Sequence, residues 1–517
     1  MSWEKEVEEL RARQRLAQQL GGAARVARQH AGGKLTVRER IDQLLDTDSF
    51  IEVGSIAGKA AYDDAGNLVS LTPASLVMGR GKIGGRNVVA AGDDFTIRGG
   101  TNEGSIRDKL TRVETMARDL RLPLIRMVDG SGGGGSAGTM DRDGHSKVPG
   151  YLGWDLVVAN LNTVPVVGMA LGSTAGLGSA RVCISHYSVM VKETSQLFVA
   201  GPPVVNRLGA RQFDKNELGG SQIHTRNGAI DDEADSEADA FARVRRFLSY
   251  LPPSVYELPP RTPPQDDANR NVDWLIEAIP RDDRKVYKMR PIIEALVDQG
   301  SFFEIGRHWG RGVITGLARL DGWPVAVMAS DPHHYGGAWT ADAARKVARF
   351  VQLAQLFHLP VVHLADIPGF LVGLDAEQSA TIRHGVAALT AIQQTTVPWC
   401  AVIVRKAYGV AAAGHSNQSR YSVRYCWPSM RAGSLPLEGG IEAAYRAEIA
   451  ASADPQAKIA ELRERLQRLG SPLRTVEAFA YDEMIDPRDT RKLLCEFANL
   501  TAPLREAGPS SFGYFPI

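Results

Sequence analysis

Aromatic side chains are scarce, cysteines do not pair and no apolar run is long. Of 517 residues 7% are Phe, Trp or Tyr, and the four cysteines are Cys183, Cys400, Cys426 and Cys495. None forms a C-x-x-C pair, which excludes a zinc ribbon and leaves reduced thiols as the plain reading. No stretch approaches the roughly 18 apolar residues that cross a bilayer, so no membrane partner is expected. Sixty Lys and Arg against 59 Asp and Glu leave a net charge of +1. That balance offers no basic surface for nucleic acid. The first twenty residues mix Glu with Arg and have no apolar middle. They read as neither a signal nor a transit peptide, and the expected compartment is the cytoplasm. What the chain has in excess is glycine, 52 residues. Such glycine signals turns, close backbone approaches and sites built from main-chain groups.

The sequence repeats itself. Arg38–Gly54 and Arg290–Gly306 agree at eight of seventeen positions at a shift of 252. At a shift of 237, Gly79, Gly85, Val88, Asp94, Gly100, Lys109, Arg112, Leu122, Pro123 and Asp129 meet identical residues, ending at Asp366. At 233, Thr163-Val164-Pro165 meets Thr396-Val397-Pro398 and Gly176 meets Gly409. Order is kept throughout, which marks a duplicated domain. Six prolines between Pro252 and Pro264 separate the copies and suit a semi-rigid linker. Each half begins with a hairpin-like pair and continues with alternating helices and buried strands, an α/β pattern. Ile106–Leu120 has apolar residues at helical spacing, and Ile459, Leu462, Leu466 and Leu469 mark a further amphipathic helix.

Several motifs suggest chemistry and fail their context. Gly79–Gly84 fits G-x-G-x-x-G, but the β-branched Val88-Val89 that follows predicts a hairpin rather than a nucleotide-binding helix. Ser136 sits in a G-x-S-x-G match within a glycine-rich loop, with no downstream Asp/His pair to activate it. His333-His334 has no third ligand nearby and reads as a loop end, so no metal is expected. Two equivalent glycine-rich turns remain, Gly172–Gly178 and Arg405–Gly414. Each follows a buried strand and leads toward a helix. Main-chain N–H groups at such a turn can converge on an enolate or ureido oxygen, and close strand–helix packing is the alternative reading.

Longer motifs carry a resemblance. Asp93-Asp94-Phe95-Thr96 with Gly99-Gly100, Glu217-Leu218-Gly219-Gly220 with His224, and Asp366-Ile367-Pro368-Gly369-Phe370 are three of them. Ile382-Arg383-His384-Gly385, Arg405–Gly409 and Ile485–Arg491 are the others. Together they resemble the carboxyltransferase (β) subunit of biotin-dependent acyl-CoA carboxylases, the propionyl-CoA and methylcrotonyl-CoA carboxylase family, from about residue 30 to 500. The resemblance implies two tandem crotonase-type (ClpP/crotonase) domains. These are an N-terminal domain 1–255 on the acyl-CoA side, a Pro-rich linker 256–270 and a C-terminal domain 271–517 on the biotin side. It implies CO2 transfer from carboxybiotin to the α (or vinylogous γ) carbon of an acyl-CoA through an enolate held by backbone oxyanion holes. Biotin would be carried by a separate biotinylated carboxylase/carrier subunit, since the chain has no Ala-Met-Lys-Met site. A dimer-based homo-oligomer, a hexamer, is implied as well.

Carried over by residue, the catalytic turns fall on Gly176 and Leu177, and on Val410 and Ala411. Acyl-CoA falls to Gly99, Gly100, Gly132, Gly133, Ala412 and Ala413. Biotin falls to Gly336, Gly337, Pro368, Gly369, Phe370 and Tyr408. The departures are informative. Where the family usually has Ala-Tyr-Gly-Gly-Ala-Tyr-Asp, this chain has Ala407–Ala413 with Val410, Ala412 and Ala413. The lost ring and charge imply a wider, more apolar pocket and a substrate other than propionyl-CoA, longer, branched or substituted. A biotin-linked carboxyacyl-CoA decarboxylase subunit and a non-catalytic scaffold subunit are the competing readings.

Overall fold

The computed structural model describes residues 2–101, 106–130, 140–141, 144–146, 153–209, 211–435 and 437–516. They fall into two compact units, Met1–Glu257 and Leu258–Phe515. In the first, seven strands stand in the order Ile51–Glu52, Leu76–Ile83, Arg86–Asp93, Leu124–Val128, Val166–Ala170, Tyr187–Val191 and Asp232–Ala234. The first two pairings are antiparallel and the remaining four parallel. The main path of the second unit runs Phe303–Ile305, Val313–Leu320, Trp323–Ser330, Val361–Ile367, Trp399–Tyr408, Ser422–Cys426 and Glu483–Met484. Its directions repeat those of the first, pair for pair. This is the α/β architecture of two tandem crotonase-type domains, and the repeat in sequence is a repeat in topology.

The side chains that fix the frame are duplicated too. Gly84 and Gly85 close the first hairpin at positive φ, the geometry of a tight two-residue turn, and the Asp46 carboxylate accepts both their N–H groups. In the second unit Asp321 and Gly322 close the hairpin, and Asp298 accepts from both. The expected hairpin at Gly79–Gly84 is therefore present, and no helix follows it. Arg38 forks onto Glu52 as Arg290 forks onto Glu304. Lys109 reaches the carbonyls of Gly54 and Leu76, and Lys346 those of Gly306, Trp309 and Val313. Each lysine thus ties three separate segments through hydrogen bonds from a buried ammonium. Burial pushes the Lys109 ammonium down to about 8.

Helix Ala341–Leu356 shows how sequence makes and seats one element. Thr340 caps it by accepting the Ala343 N–H at 3.0 Å. Val347, Phe350, Val351, Leu353 and Leu356 are buried beneath it, each worth about 1.5–3 kcal/mol of transfer from water. His358, in the left-handed region, ends the run, as Arg121 ends Arg107–Leu120 at the equivalent place. Of the four residues expected on the further amphipathic helix, which spans Pro455–Leu469, Leu462 is buried and Leu469 exposed. His333 and His334 lie in a turn whose first residue, Asp331, accepts the His333 N–H. The proline-rich stretch forms no helix or strand. Tyr256 stacks under Arg121, while Arg261 and Thr262 bond to Asp321 and Gly322.

Two buried histidines give the fold a pH dependence. His186 Nδ1 accepts the Val166 N–H at 2.9 Å, so Nε2 must carry the proton that meets the Leu161 carbonyl. Burial takes its pKa, and that of His363, down to about 3. The folded state resists a proton that the unfolded chain accepts near 6.5, so stability is full above that pH and falls as pH drops toward 3. At pH 5 each ring costs about 2 kcal/mol. The urea midpoint should fall between pH 7 and pH 5, and His186→Gln should flatten that dependence. An equal loss in both proteins would show that the neutral ring is not its source.

Among the described residues no helix is long and apolar enough to cross a membrane, and no group of three or more His, Cys, Asp or Glu is placed to hold a metal ion.

Candidate functional site

In each unit the loops that follow the carboxyl ends of three adjacent parallel strands carry the residues singled out above. This is where open α/β sheets place their ligands. In the first unit these loops begin at Asp94, Asp129 and Leu171; in the second, at Asp331, Pro368 and Gly409.

The first loop in each unit makes the same turn. Arg98–Gly100 and Tyr335–Gly337 are single 3-10 turns with Gly99 and Gly336 in the left-handed region. Gly100 packs so closely that an added Cβ would lie 2.1 Å from the Asp129 carbonyl oxygen. At Gly337 it would lie 2.6 Å from the carbonyl of Asp366. These glycines are held against the second loop by contact with backbone.

Behind each second loop is a fully buried carboxylate. Asp129 accepts from Arg40 at 2.9 Å, Lys34 at 3.0 Å and Gln29 at 3.0 Å. Arg40 also forks onto Glu237 and reaches the Leu171 carbonyl, so one guanidinium joins helix Val37–Leu44, the second and third loops and helix Glu237–Ser249. Asp366 accepts from Arg405 at 3.1 Å, Tyr287 at 2.9 Å and the Lys406 N–H at 3.0 Å. Burial and Asp366 together raise the Tyr287 phenol, keeping it a donor. At the end of the adjoining strand, burial raises the Asp93 carboxyl, and Arg181 at 3.1 Å acts against that rise.

The third loops are the two glycine-rich turns. Gly176 has φ 56° and Gly409 φ 63°, a conformation that a side chain would strain. Helix Leu177–Cys183 follows the first, helix Gly409–Ala412 begins at the second, and their first N–H groups have no carbonyl one turn back. The Gly176 N–H donates to the Phe198 carbonyl at 3.1 Å, so Gly176 turns the chain and is not a free donor. Leu177 and Gly178 are the first two residues of the helix that follows. This register matches Val410 and Ala411 at the second, because a shift of 233 carries 177–178 onto 410–411.

Around the second turn, Ala412 is buried, Ala413 exposed and Val410 exposed. His415 Nδ1 lies 2.6 Å from the Ala412 carbonyl, and the His415 carbonyl accepts from Trp399 at 2.8 Å. The turn is thereby anchored from below. The Pro368–Phe370 loop is tied to Trp339: the Trp339 N–H meets the Gly369 carbonyl, and the Leu371 N–H meets that of Trp339. The Phe370 ring stands edge-on to Trp339 and lies over Gly385, where an added Cβ would sit 2.4 Å from ring carbons. Pro368 borders Gly337, and Tyr408 borders Gly433. Gly336, Gly337, Pro368, Gly369, Phe370 and Tyr408 therefore form one loop cluster. Gly132 and Gly133 lie outside the described residues. Sequence reasoning missed Arg40, Tyr287, Trp339 and His415. The pairing of Asp129 with Asp366 was the one available hint that both acids need cations.

Residues 28–510 match the carboxyl transferase domain family. The propionyl-CoA carboxylase beta chain of Roseobacter denitrificans is 34% identical over 502 residues, 96% of each chain. A transcarboxylase 12S crystal structure, a hexamer with methylmalonyl-coenzyme A and methylmalonic acid bound, superposes with a TM-score of 0.89. It is 30% identical and covers 100% of this chain and 99% of that one. A single-chain, multi-domain long-chain acyl-CoA carboxylase superposes with a TM-score of 0.80 at 28% identity, over 95% of this chain and 48% of that one.

Proposed function

The chain belongs to the carboxyl transferase domain family, and from that premise we propose that it is the carboxyltransferase subunit of a biotin-dependent acyl-CoA carboxylase. It works on this reading in the cytoplasm, in a dimer-based hexamer with a biotinylated partner subunit. The observation that carries the proposal is the pair of matched turns, each with a positive-φ glycine where a helix begins, at equivalent places in two equivalent sheets.

The acyl-CoA thioester would lie at the first unit's turn. There the N–H groups of Leu177 and Gly178, fixed by the helix and aided by its positive end, would stabilise the enolate oxygen more than the neutral carbonyl. Gly99 and Gly100 would hold the thioester against the Asp129 segment. The second unit suits a small apolar ring carried by a partner. Phe370 lies in a glycine cradle, Trp339 Nε1 is buried with no hydrogen-bond partner among the described residues, and Val372 and Leu374 stand exposed beside the loop. Biotin bound there would supply both the CO2 and the proton acceptor, which accounts for the lack of a side-chain base in the turns. Val410 and Ala411 would donate to its ureido oxygen, with Phe370, Gly369 and Tyr408 bordering it.

Two departures set the acyl choice. Where the family usually has Tyr-Asp, Ala412 and Ala413 carry neither ring nor charge, and on this reading the acyl group is bulkier than propionyl. The test is purification from the native cell with the biotinylated partner, followed by ATP-dependent carboxylation of an acyl-CoA panel. Carboxylation with preference for six- to ten-carbon chains is expected. A clear preference for propionyl-CoA would overturn the substrate reading, and the lack of any biotinylated partner would overturn the function itself.

Gly385 offers a separate check on the second unit. Gly385→Val would drive Phe370 out of place, and the expected cost is about ten- to a hundredfold in kcat/KM for the biotinylated partner. The KM for acyl-CoA should not move. A change confined to acyl-CoA would place the ring elsewhere.

A further inference from the structure

Six arginines among the described residues are more than nine-tenths buried: Arg40, Arg126, Arg181, Arg405, Arg491 and Arg505. Five of them face a carboxylate, namely Asp129, Glu114, Asp93, Asp366 and Asp298 respectively. Arg505 faces none among the described residues. Its Nε makes a long bond, 3.4 Å, to the Ala502 carbonyl, and its guanidinium lies over the Trp323 ring at 4.7 Å. Neither terminal nitrogen has a hydrogen-bond partner there, and Nη1 is fully enclosed. Burial alone lowers its pKa to about 10. A buried cation without a counter-ion is costly, and the usual remedy is a paired anion.

Arg505 lines a cavity of about 220 Å³. Arg420 lines it as well and has a buried Nε without a partner, although its Nη2 pairs with Glu506 at 3.0 Å. Val397, Pro398 and Leu504 give it apolar walls. Thr396–Pro398 run into the amino end of strand Trp399–Tyr408, whereas the glycine-rich turn leaves its carboxyl end. The cavity therefore lies at the opposite edge of the sheet from the candidate site. With Arg420 matched by Glu506, Arg505 is the cavity-lining arginine that faces no carboxylate among the described residues.

We propose that this cavity is a second ligand site of the chain, binding a small oxyanion of carboxylate or phosphate type on the Arg505 guanidinium. A guanidinium fork matches either group through two parallel hydrogen bonds. The apolar walls admit a short hydrocarbon body beside the charged head.

The experiment is isothermal titration of the full-length protein with inorganic phosphate, and separately with propionate, at fixed ionic strength with CoA saturating. CoA keeps either probe from reporting on the acyl-CoA loops. About one anion should bind per chain, and Arg505→Met should weaken it about tenfold or more. Arg505→Lys keeps the charge without the fork and should restore part of the affinity. Should Arg505→Met fail to fold, Arg420→Gln reads the same cavity from its other cation and should also weaken binding. Binding of phosphate alone, or of propionate alone, identifies the head group. Binding of neither, or affinity unchanged in the folded variants, overturns the proposal.

Discussion

Leu177→Pro should lower kcat by about a hundred- to a thousandfold, the range expected when one backbone donor to an oxyanion is lost. Leu177 is the first residue of its helix, a position where proline's fixed φ fits and its missing N–H breaks no helical bond. The preceding Gly176, at φ 56° and ψ −120°, lies in the mirror of the extended region, which glycine alone enters readily and which leaves room for a following proline ring. The substitution therefore deletes one hydrogen atom of the proposed machinery and little else. Far-ultraviolet circular dichroism and the urea midpoint should match the parent, and KM for acyl-CoA should change far less than kcat. Full turnover in a folded Leu177→Pro protein would remove this N–H from the chemistry.

Arg40→Met should destabilise the first unit by about 3–5 kcal/mol, the cost of stranding buried carboxylates without their cation. Arg40 is 1% exposed and supplies four hydrogen bonds to Asp129, Glu237 and the Leu171 carbonyl. Lys34 and Gln29 would still face Asp129, but among the described residues only the Leu35 N–H would still reach Glu237. Arg40→Lys should recover little, because an ammonium cannot fork onto Glu237 while reaching Asp129. The denaturant midpoint of the earliest transition is the measurement. A shift below about 1 kcal/mol would mean that the network relaxes around the loss. Acyl-CoA affinity should fall with stability, since the same guanidinium holds the segments that lead into the second and third loops.

Much of this was readable in advance, for identifiable reasons. The repeat survives as identical residues because it is carried by groups with fixed partners: Asp46 and Asp298 on their hairpins, Lys109 and Lys346 on their carbonyls. Strand and helix alternation followed from apolar periodicity, which is a local property. Where the Gly176 N–H goes was not readable. Gly176 loses its N–H to Phe198, a residue well downstream, and only the pairing of Ser173–Ala175 with Gln196–Phe198 makes that visible. Arg40 was hidden for a similar reason, since its acids lie far along the chain and one arginine in a charged helix has no distinguishing pattern. Trp339 is recognisable only once the Pro368–Phe370 loop is seen bonded to its backbone. Arg505, which faces no carboxylate among the described residues, stands out only once the other five buried arginines have been set against their acids.

The attachment of the proline-rich stretch has a consequence for how this chain could be handled. Tyr256 is stacked on Arg121, whereas Thr262 is hydrogen-bonded to Gly322. The peptide bond between Glu257 and Leu258 thus falls where custody of the backbone changes hands, and a cut there severs no strand of either sheet. Two polypeptides, one ending at Glu257 and one starting at Leu258, would each retain the ladders of its own sheet and its own copy of each clamp. A limited protease that nicks this bond should yield two persistent fragments, and the same junction is the natural place to insert a tag or to supply the halves from separate messages.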